Sequence, residues 1–327
     1  MTHELSAAGG ESAGPVEVTV LIPTRDRTDQ LNSALESILA NSFRDFELLV
    51  VAQGDTEHTE RLVQRYAEQD NRVRFIHDPL SGSSHARNVG MRYARGSLIV
   101  FTDDDCEVPP GWLLEFVQAF RDDHQLGVAA GAVLPGPHDP SAGFIVGYYP
   151  RRRERLRGPR AQLRDAGIGA NLAFRRRAIE DAGGWDEVLG AGSGAFEGAG
   201  DFDLLYRVIG SGYALLLLPE AQLTHHGFRN WEAGARVIRG RFHGIAGAYT
   251  KHLRLGDPVA ALVLMKHFSL ALANVLSRAI SLKRPLGLGR ITALFRGFRA
   301  SFTYQIDPKT KRYIRSESQP YGTPILG

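Results

Sequence analysis

A single cysteine, Cys106, is all that 327 residues provide, so an intrachain disulfide is excluded, and the absence of CxxC spacing removes a cysteine-based zinc site. That scarcity fits a reducing, cytoplasmic compartment. The first 15 residues hold two glutamates and no apolar run, which argues against a secretory signal and predicts a loose tail over residues 1–15. No GxGxxG follows the first apolar run and no GxxxxGK(S/T) occurs anywhere, so the usual dinucleotide and P-loop phosphate cradles are missing. No internal repeat is visible. The remainder is an ordinary globular composition, 43% hydrophobic and 23% charged, in a chain long enough for one large or two ordinary domains.

The net charge of +3 conceals a separation along the chain. Residues 1–150 hold 11 basic and 22 acidic side chains, residues 151–227 hold 11 and 10, and residues 228–327 hold 17 and 4. A basic, aromatic-containing C-terminal third beside an acidic N-terminal half calls for an anionic partner, either a lipid surface or a nucleic acid.

Apolar runs and helical spacing alternate. Val16–Pro23 reads as a strand, followed by a helix that Thr28 or Asp29 can cap and whose apolar face is Leu31, Leu35, Ile38 and Leu39. Strands at Phe46–Ala52, Val73–Ile76 and Ser97–Thr102 alternate with helices through Thr59–Gln69 and Ala86–Ala94. Continuous apolar strands separated by helices predict an α/β fold with a parallel sheet covered on both faces. A Pro/Gly- and Arg-rich connection spans Leu134–Arg164. Beyond it come strands at Gly167–Phe174 and Tyr213–Leu218, the second ended by Pro219, with a helix at Asp201–Ile209 between them. The glycines from Gly190 to Gly200 read as a flexible loop.

Ligands of such sheets bind beyond the carboxyl ends of the strands, so the residues there are the candidates. They are Pro23 to Asp26, Gln53 to Asp55, and the run Asp103-Asp104-Asp105. Three adjacent carboxylates repel one another, and a divalent cation compensates them. Oxygen ligands suit Mg2+ or Mn2+, and such ions commonly bind substrate phosphates as well, which makes a nucleotide diphosphate the natural co-ligand. The same run also reads as a solvated acidic loop or a cap for the helix that follows. Pro23 can equally end a strand, Asp26 cap a helix and Arg87 form a surface ion pair.

The segments IPTRDR, SSHARNVGMRYARG, FTDDDC, GANLAFRRRAIEDAGGWDE and GDFDLLYRVIGSGYALLLLPEAQLTHH, in that order from about Val16 to His226, resemble the inverting family-2 glycosyltransferases of the GT-A fold. The resemblance implies a mostly parallel sheet with a donor-binding half over residues 16–134 and an acceptor half over 135–227. It implies transfer of a sugar from a nucleotide-diphosphate donor to a glycan or lipid-linked acceptor, in cell-envelope polysaccharide or glycoconjugate synthesis, with Mn2+ or Mg2+. Position by position, Pro23, Thr24 and Asp26 would flank the donor base and Arg87 the nucleotide or pyrophosphate. Asp103 and Asp104 would face the ribose and sugar, and Asp105 and His225 the metal. Asp201 would be the general base that takes the acceptor hydroxyl's proton, with Asp203 a structural partner for Arg207 at i+4. Trp185 would stack on an acceptor sugar or serve as a core aromatic. Two departures stand out. Ala52 and Gln53 occupy the place of paired acids, which leaves base recognition to the Gln53 amide, and Gly200 stands where the family has a glutamate, with Glu197 nearby.

In the basic region, residues 228–327, the stretch Pro258–Leu282 is apolar, but Lys266 and His267 near its middle disfavour a membrane span. On a helical wheel Lys266, His267, Asn274, Ser277, Arg278 and Ser281 gather within about 120°. Leu288, Ile291, Leu294, Phe295, Phe298 and Phe302 do likewise, with Arg290, Arg296 and Arg299 outside their arc. Such helices are suited to lie on an anionic membrane at its cytoplasmic face, or to pack on the protein. A nucleotidyltransferase would want a phosphate loop that IPTRDR is not, and a nucleic-acid-binding protein would leave Asp103–Asp105 and Asp201 unexplained. No nucleic-acid partner is therefore expected.

Overall fold

The computed structural model describes residues 7–8, 14–54, 56–164, 166–280 and 287–315. In chain order the first half runs β1 (Ala7–Ala8), β2 (Val18–Arg25), α1 (Thr28–Leu39), β3 (Phe46–Gln53), α2 (Glu57–Gln69), β4 (Val73–His77), α3 (Ser83–Tyr93), β5 (Leu98–Phe101), β6 (Cys106–Glu107), α4 (Trp112–Asp122) and β7 (Leu126–Pro135). There follow β8 (Gly143–Ile145), β9 (Glu154–Leu156), α5 (Gly158–Gln162), β10 (Leu172–Arg175), α6 (Arg176–Asp181), α7 (Gly200–Gly210), β11 (Ala214–His225) and β12 (Phe228–Asn230). Three helices, α8 (Trp231–Arg254), α9 (Pro258–Ile280) and α10 (Gly287–Ser301), precede the hairpin β13 (Gln305–Asp307) and β14 (Arg312–Ile314).

One sheet carries the fold, in the order β1-β4-β3-β2-β5-β10-β7-β11-β6, with β9 beside β11. Strands β4, β3, β2 and β5 are mutually parallel, as are β7 and β11. The chain reverses at β10, which is antiparallel to both β5 and β7. Alternation along β2 sends Val18, Val20 and Ile22 to one apolar layer, with Trp112 and Phe116, and Leu21 to the other, with Phe101, Phe174 and Trp185. Each face is covered by helices, the arrangement that buried parallel strands require.

Several expectations change. The strand foreseen over Gly167–Phe174 begins only at Leu172, after a 3-10 turn at Gly169–Asn171. β7, over a stretch to which the sequence assigned no element, ends at Pro135, just inside the connection expected from Leu134; its small residues (LGVAAGAVLP) carry little hydrophobic contrast. β11 does not stop at Pro219. It bulges between Leu218 and Gln222 and continues to His225, with the Asn171 amide donating to the Ala221 and Ala132 carbonyls at 2.8 Å each and so satisfying the disturbed ladder. Neither Thr28 nor Asp29 caps α1, whose cap position is Arg27 with no side-chain capping bond. Of the foreseen loose tail, Ala7–Ala8 pair with Phe75 and Ile76, and the other residues before Gly14 lie outside the described residues.

The region from residue 228 onward is joined to the rest by a buried core of its own, in which Phe196 and Tyr206 of the preceding part meet Tyr249, Leu294, Tyr304 and Tyr313. The Lys251 ammonium of α8, fully buried, sits 2.6 Å from Asp186 and 2.7 Å from Asp203. Residue 227/228 is thus no packing boundary.

Candidate active site

The carboxyl ends of β2, β3 and β5, the end of β11 and the first turn of α7 converge on a cavity of about 470 Å³. Pro23, Thr24, Gln53, Arg87, the three aspartates 103–105, Asp201 and His225 all line it. Two of the positions named from the sequence do not. Asp26 stands just outside, its left-handed backbone (φ 56°) turning the carboxylate toward Gly54 and toward Arg25, 3.5 Å away.

Trp185 is fully buried and so cannot stack on a sugar, which corrects the acceptor role; its ring packs edge-on against Phe101 at 5.3 Å. Its face lies 4.6 Å from the Arg87 guanidinium, which the indole supports from below. Arg87 reaches Asp103 at 3.5 Å and passes beside Gly169, whose backbone N–H donates to Asp201 Oδ2 at 2.8 Å. A side chain at position 169 would strike both Arg87 and Asp201, so a glycine there lets the two charges approach. Asp203, two residues on, faces away into the core. It pairs with Arg207, Lys251 and His252, whose charges outweigh its burial and hold its carboxyl well below the ordinary range.

The aspartates divide their tasks. Partial burial, opposed by Arg87, raises Asp103, which lines the cavity with 35% of its side chain exposed. Asp104 accepts from Thr24 Oγ1 at 2.6 Å, yet burial and the neighbouring Asp105 push it up to about 6. Thr24 therefore spends its hydroxyl on Asp104 rather than on a ligand. For Asp105 burial raises, but His225, Arg27 and Arg229 prevail and hold it below the usual carboxylate value.

Asp105 and His225 fit a cation. His225 Nδ1 lies 2.9 Å from the Val146 carbonyl, so that nitrogen carries a proton and Nε2 is the atom turned toward the aspartates. Nε2 is 3.2 Å from Asp105 Oδ1, a buried oxygen with no other partner among the described residues. Burial opposes a charge on His225, yet the Asp105 carboxylate prevails and raises it above the ordinary histidine value, so without an ion a proton on Nε2 joins the two, and a divalent cation would take that proton's place. The Cys106 sulfur is within 4.8 Å of both, but burial raises its thiol well above the ordinary value, leaving it protonated and a poor ligand.

Other residues the sequence reading missed are cationic. Arg27 Nη1 sits 3.0 Å from Asp105 and 3.3 Å from Asp104. Arg229, after β11, and Arg241, on α8 with its guanidinium 4.8 Å from the Phe202 ring, reach the cavity from the C-terminal third. Only the general excess of basic residues there hinted at them. Gln53, read as a base-recognition amide, is largely occupied within the protein: its Nε2 donates to Asp78 at 2.7 Å and its Oε1 accepts from the Gly82 N–H at 3.0 Å. The supposed flexible loop over Gly190–Gly200 is tied down, since Ser83 N donates to the Ala191 carbonyl at 2.8 Å and Gly190 N to that of Phe196 at 2.8 Å. A side chain at Gly200 would collide with Ser84 Oγ, and Glu197 lies against Gly240 and Gly244 of α8, outside the cavity lining.

The sequence profile described as glycosyl transferase family 2 matches residues 19–183. A Sinorhizobium fredii protein of uncharacterised activity, y4gI, is 30% identical over 230 residues, covering 64% of this chain and 24% of that protein. The glucosyl-dolichyl phosphate glucuronosyltransferase of Haloferax volcanii is 25% identical over 182 residues, covering 54% of this chain and 57% of its own. The chain thus spans from a quarter to just over half the length of these curated relatives. Among solved structures, the mannosyltransferase PcManGT of Pyrobaculum calidifontis, in complex with GDP-Man and Mn2+, superposes with a TM-score of 0.60 over 92% of this chain and 91% of that one, at 18% identity. At that identity the likeness is one of fold.

Proposed function

The chain belongs to glycosyl transferase family 2, and from that premise we propose that it transfers a sugar, with inversion, from a nucleotide-diphosphate donor to a glycan or lipid-linked acceptor at the cytoplasmic face of a membrane, in cell-envelope glycoconjugate synthesis. The observation that carries the reading is the meeting, in one cavity, of a strand-end aspartate cluster with a separate carboxylate, Asp201, held by the Gly169 N–H. Inverting transfer requires both halves: a place for a charged leaving group and a base for the incoming hydroxyl.

In this reading Pro23 and Thr24 border the nucleotide, Arg27 and Arg87 face the diphosphate, and Asp103 and Asp104 face the ribose and sugar. Asp105 and His225 hold Mn2+ or Mg2+, which when bound neutralises charge on the departing diphosphate. The acceptor hydroxyl loses its proton to Asp201 while its oxygen forms the new bond to the anomeric carbon. The bond from that carbon to the diphosphate breaks on the opposite face, and the nucleoside diphosphate leaves with the electron pair. Arg87, fixed on the Trp185 face, keeps its guanidinium between Asp103 and the Gly169 turn.

Asp201→Asn preserves size and still accepts from Gly169, but it cannot take the proton. Single-turnover transfer should fall about 100-fold to 10,000-fold, while calorimetric titration of UDP, dTDP and GDP in Mn2+ gives the parental affinity. Transfer at the parental rate by Asp201→Asn would assign the base elsewhere. Removing the ion with EDTA, or substituting Asp105→Asn, should weaken binding of whichever nucleotide the parent prefers. Equal affinity with and without the ion would overturn the metal site.

A further inference from the structure

Helix α9 is apolar on both sides, with Ala260, Val263 and Ala271 packed in the core and a second apolar stripe left outside. Its inward stripe includes His267, buried against Phe242 and Tyr249, and Lys266 donates to the Leu163 carbonyl at 2.8 Å. Its outward stripe is apolar: Leu262, Met265, Leu272 and Leu276 are 47, 55, 41 and 55% exposed. The surface continues onto α10, because Phe268 meets Phe295 edge-on at 5.7 Å and Phe298 and Phe302 are exposed beyond. An apolar face joined across two helices marks an interaction surface.

Charge identifies the occupant. Residues 258–306 contain seven Lys and Arg and no Asp or Glu, and Arg296 and Arg299 are exposed beside the phenylalanines. A second copy docking through this face would set Arg296 and Arg299 of each copy beside an apolar face that has no carboxylate of its own, whereas anionic lipid headgroups complement both the charge and the apolar stripe. Because its other side is packed on α8 through His267 and held by Lys266, α9 lies in the plane of the interface rather than across it.

We propose that the joint outer face of α9 and α10 inserts into the acyl boundary of an anionic bilayer. On the reverse side α10 touches α8, where Gly289 packs on Arg239, two residues from Arg241 at the cavity wall. Helices α10 and α8 then stand between the bilayer and the site, and on the sugar-transfer reading this placement favours a lipid-linked acceptor.

The test is cosedimentation of the full chain with vesicles of phosphatidylcholine alone and of phosphatidylcholine mixed equally with phosphatidylglycerol, at low and molar salt. The parent should partition to the mixed vesicles and keep much of that binding in molar salt, since insertion is apolar while surface adsorption is screened. Leu272→Glu and Phe295→Glu, both at exposed positions, should each lower the partition coefficient roughly tenfold with unchanged melting temperature. Partition of both variants like the parent, or a parent that stays in solution, overturns the proposal. A parental dimer that either variant converts to monomer, without vesicle binding, would assign the face to a second copy. Nucleotide titration of the same variants keeps the two readings apart: parental affinity with lost vesicle binding supports insertion, and failure of every nucleotide to bind the parent would sink sugar transfer while leaving the vesicle result standing.

Discussion

Asp104 shows how the site holds destabilising charge. Its carboxyl is pushed up to about 6 by burial and by Asp105. A raised acid binds its proton more tightly folded than unfolded, so the folded state loses stability as pH rises from the ordinary carboxyl value through 6. Asp104→Asn removes that penalty while keeping an acceptor for Thr24. In EDTA, urea unfolding at about pH 7.5 should find the variant more stable relative to the parent than it is at about pH 4.5, by on the order of 2 kcal/mol. An equal difference at both pH values would mean that the carboxylate carries no such cost. Trp185 makes the complementary point: an aromatic read as a ligand platform instead holds the arginine that faces the ligand.

At the scale of elements, α3 is the hinge between the nucleotide side and the loop over Gly190–Gly200. His85 on α3 stands 3.3 Å from Asp78 with Nε2 and 2.8 Å from Glu187 with Nδ1. Burial disfavours its charge, yet the two carboxylates win and raise it to about 9. Its contribution to stability is therefore fully present below the ordinary histidine value near 6.5 and is lost as pH rises toward 9. The parental melting temperature should fall more steeply across that window than that of His85→Gln. Parallel slopes would show that the imidazole is not the titrating clamp.

At the scale of the molecule, the C-terminal third completes the catalytic part. Lys251 lies between the buried carboxylates of Asp186 and Asp203, and the Tyr313 N–H donates to Asp186 at 2.9 Å, so α8 and the final hairpin share one polar centre. Breaking a buried pair by removing one partner strands charge. Lys251→Met should accordingly lower stability by about 3–5 kcal/mol, read from urea midpoints. A chain ending near Arg254 loses Leu294, Tyr304 and Tyr313 from around Phe196 and should melt well below the parent. Parental stability in that truncated chain would show that α9, α10 and the hairpin are an appendage.

Much of this was legible in the chain itself. Continuous apolar runs specified β2 to β5, and the aspartates at the end of β5 and Asp201 at the start of α7 follow from local spacing, because a strand's end and a helix's first turn are set by neighbours in sequence. Periodicity also found the two faces of α9, but a wheel states only which residues share a face. Which way that face turns was decided by packing, which put His267 inside and Leu272 outside. The same holds for Gln53, whose amide is taken up by Asp78 and Gly82, and for Arg27, Arg229 and Arg241, brought to the cavity from well-separated parts of the chain. Contacts between distant segments depend on how elements stack, and no local pattern of residues encodes them.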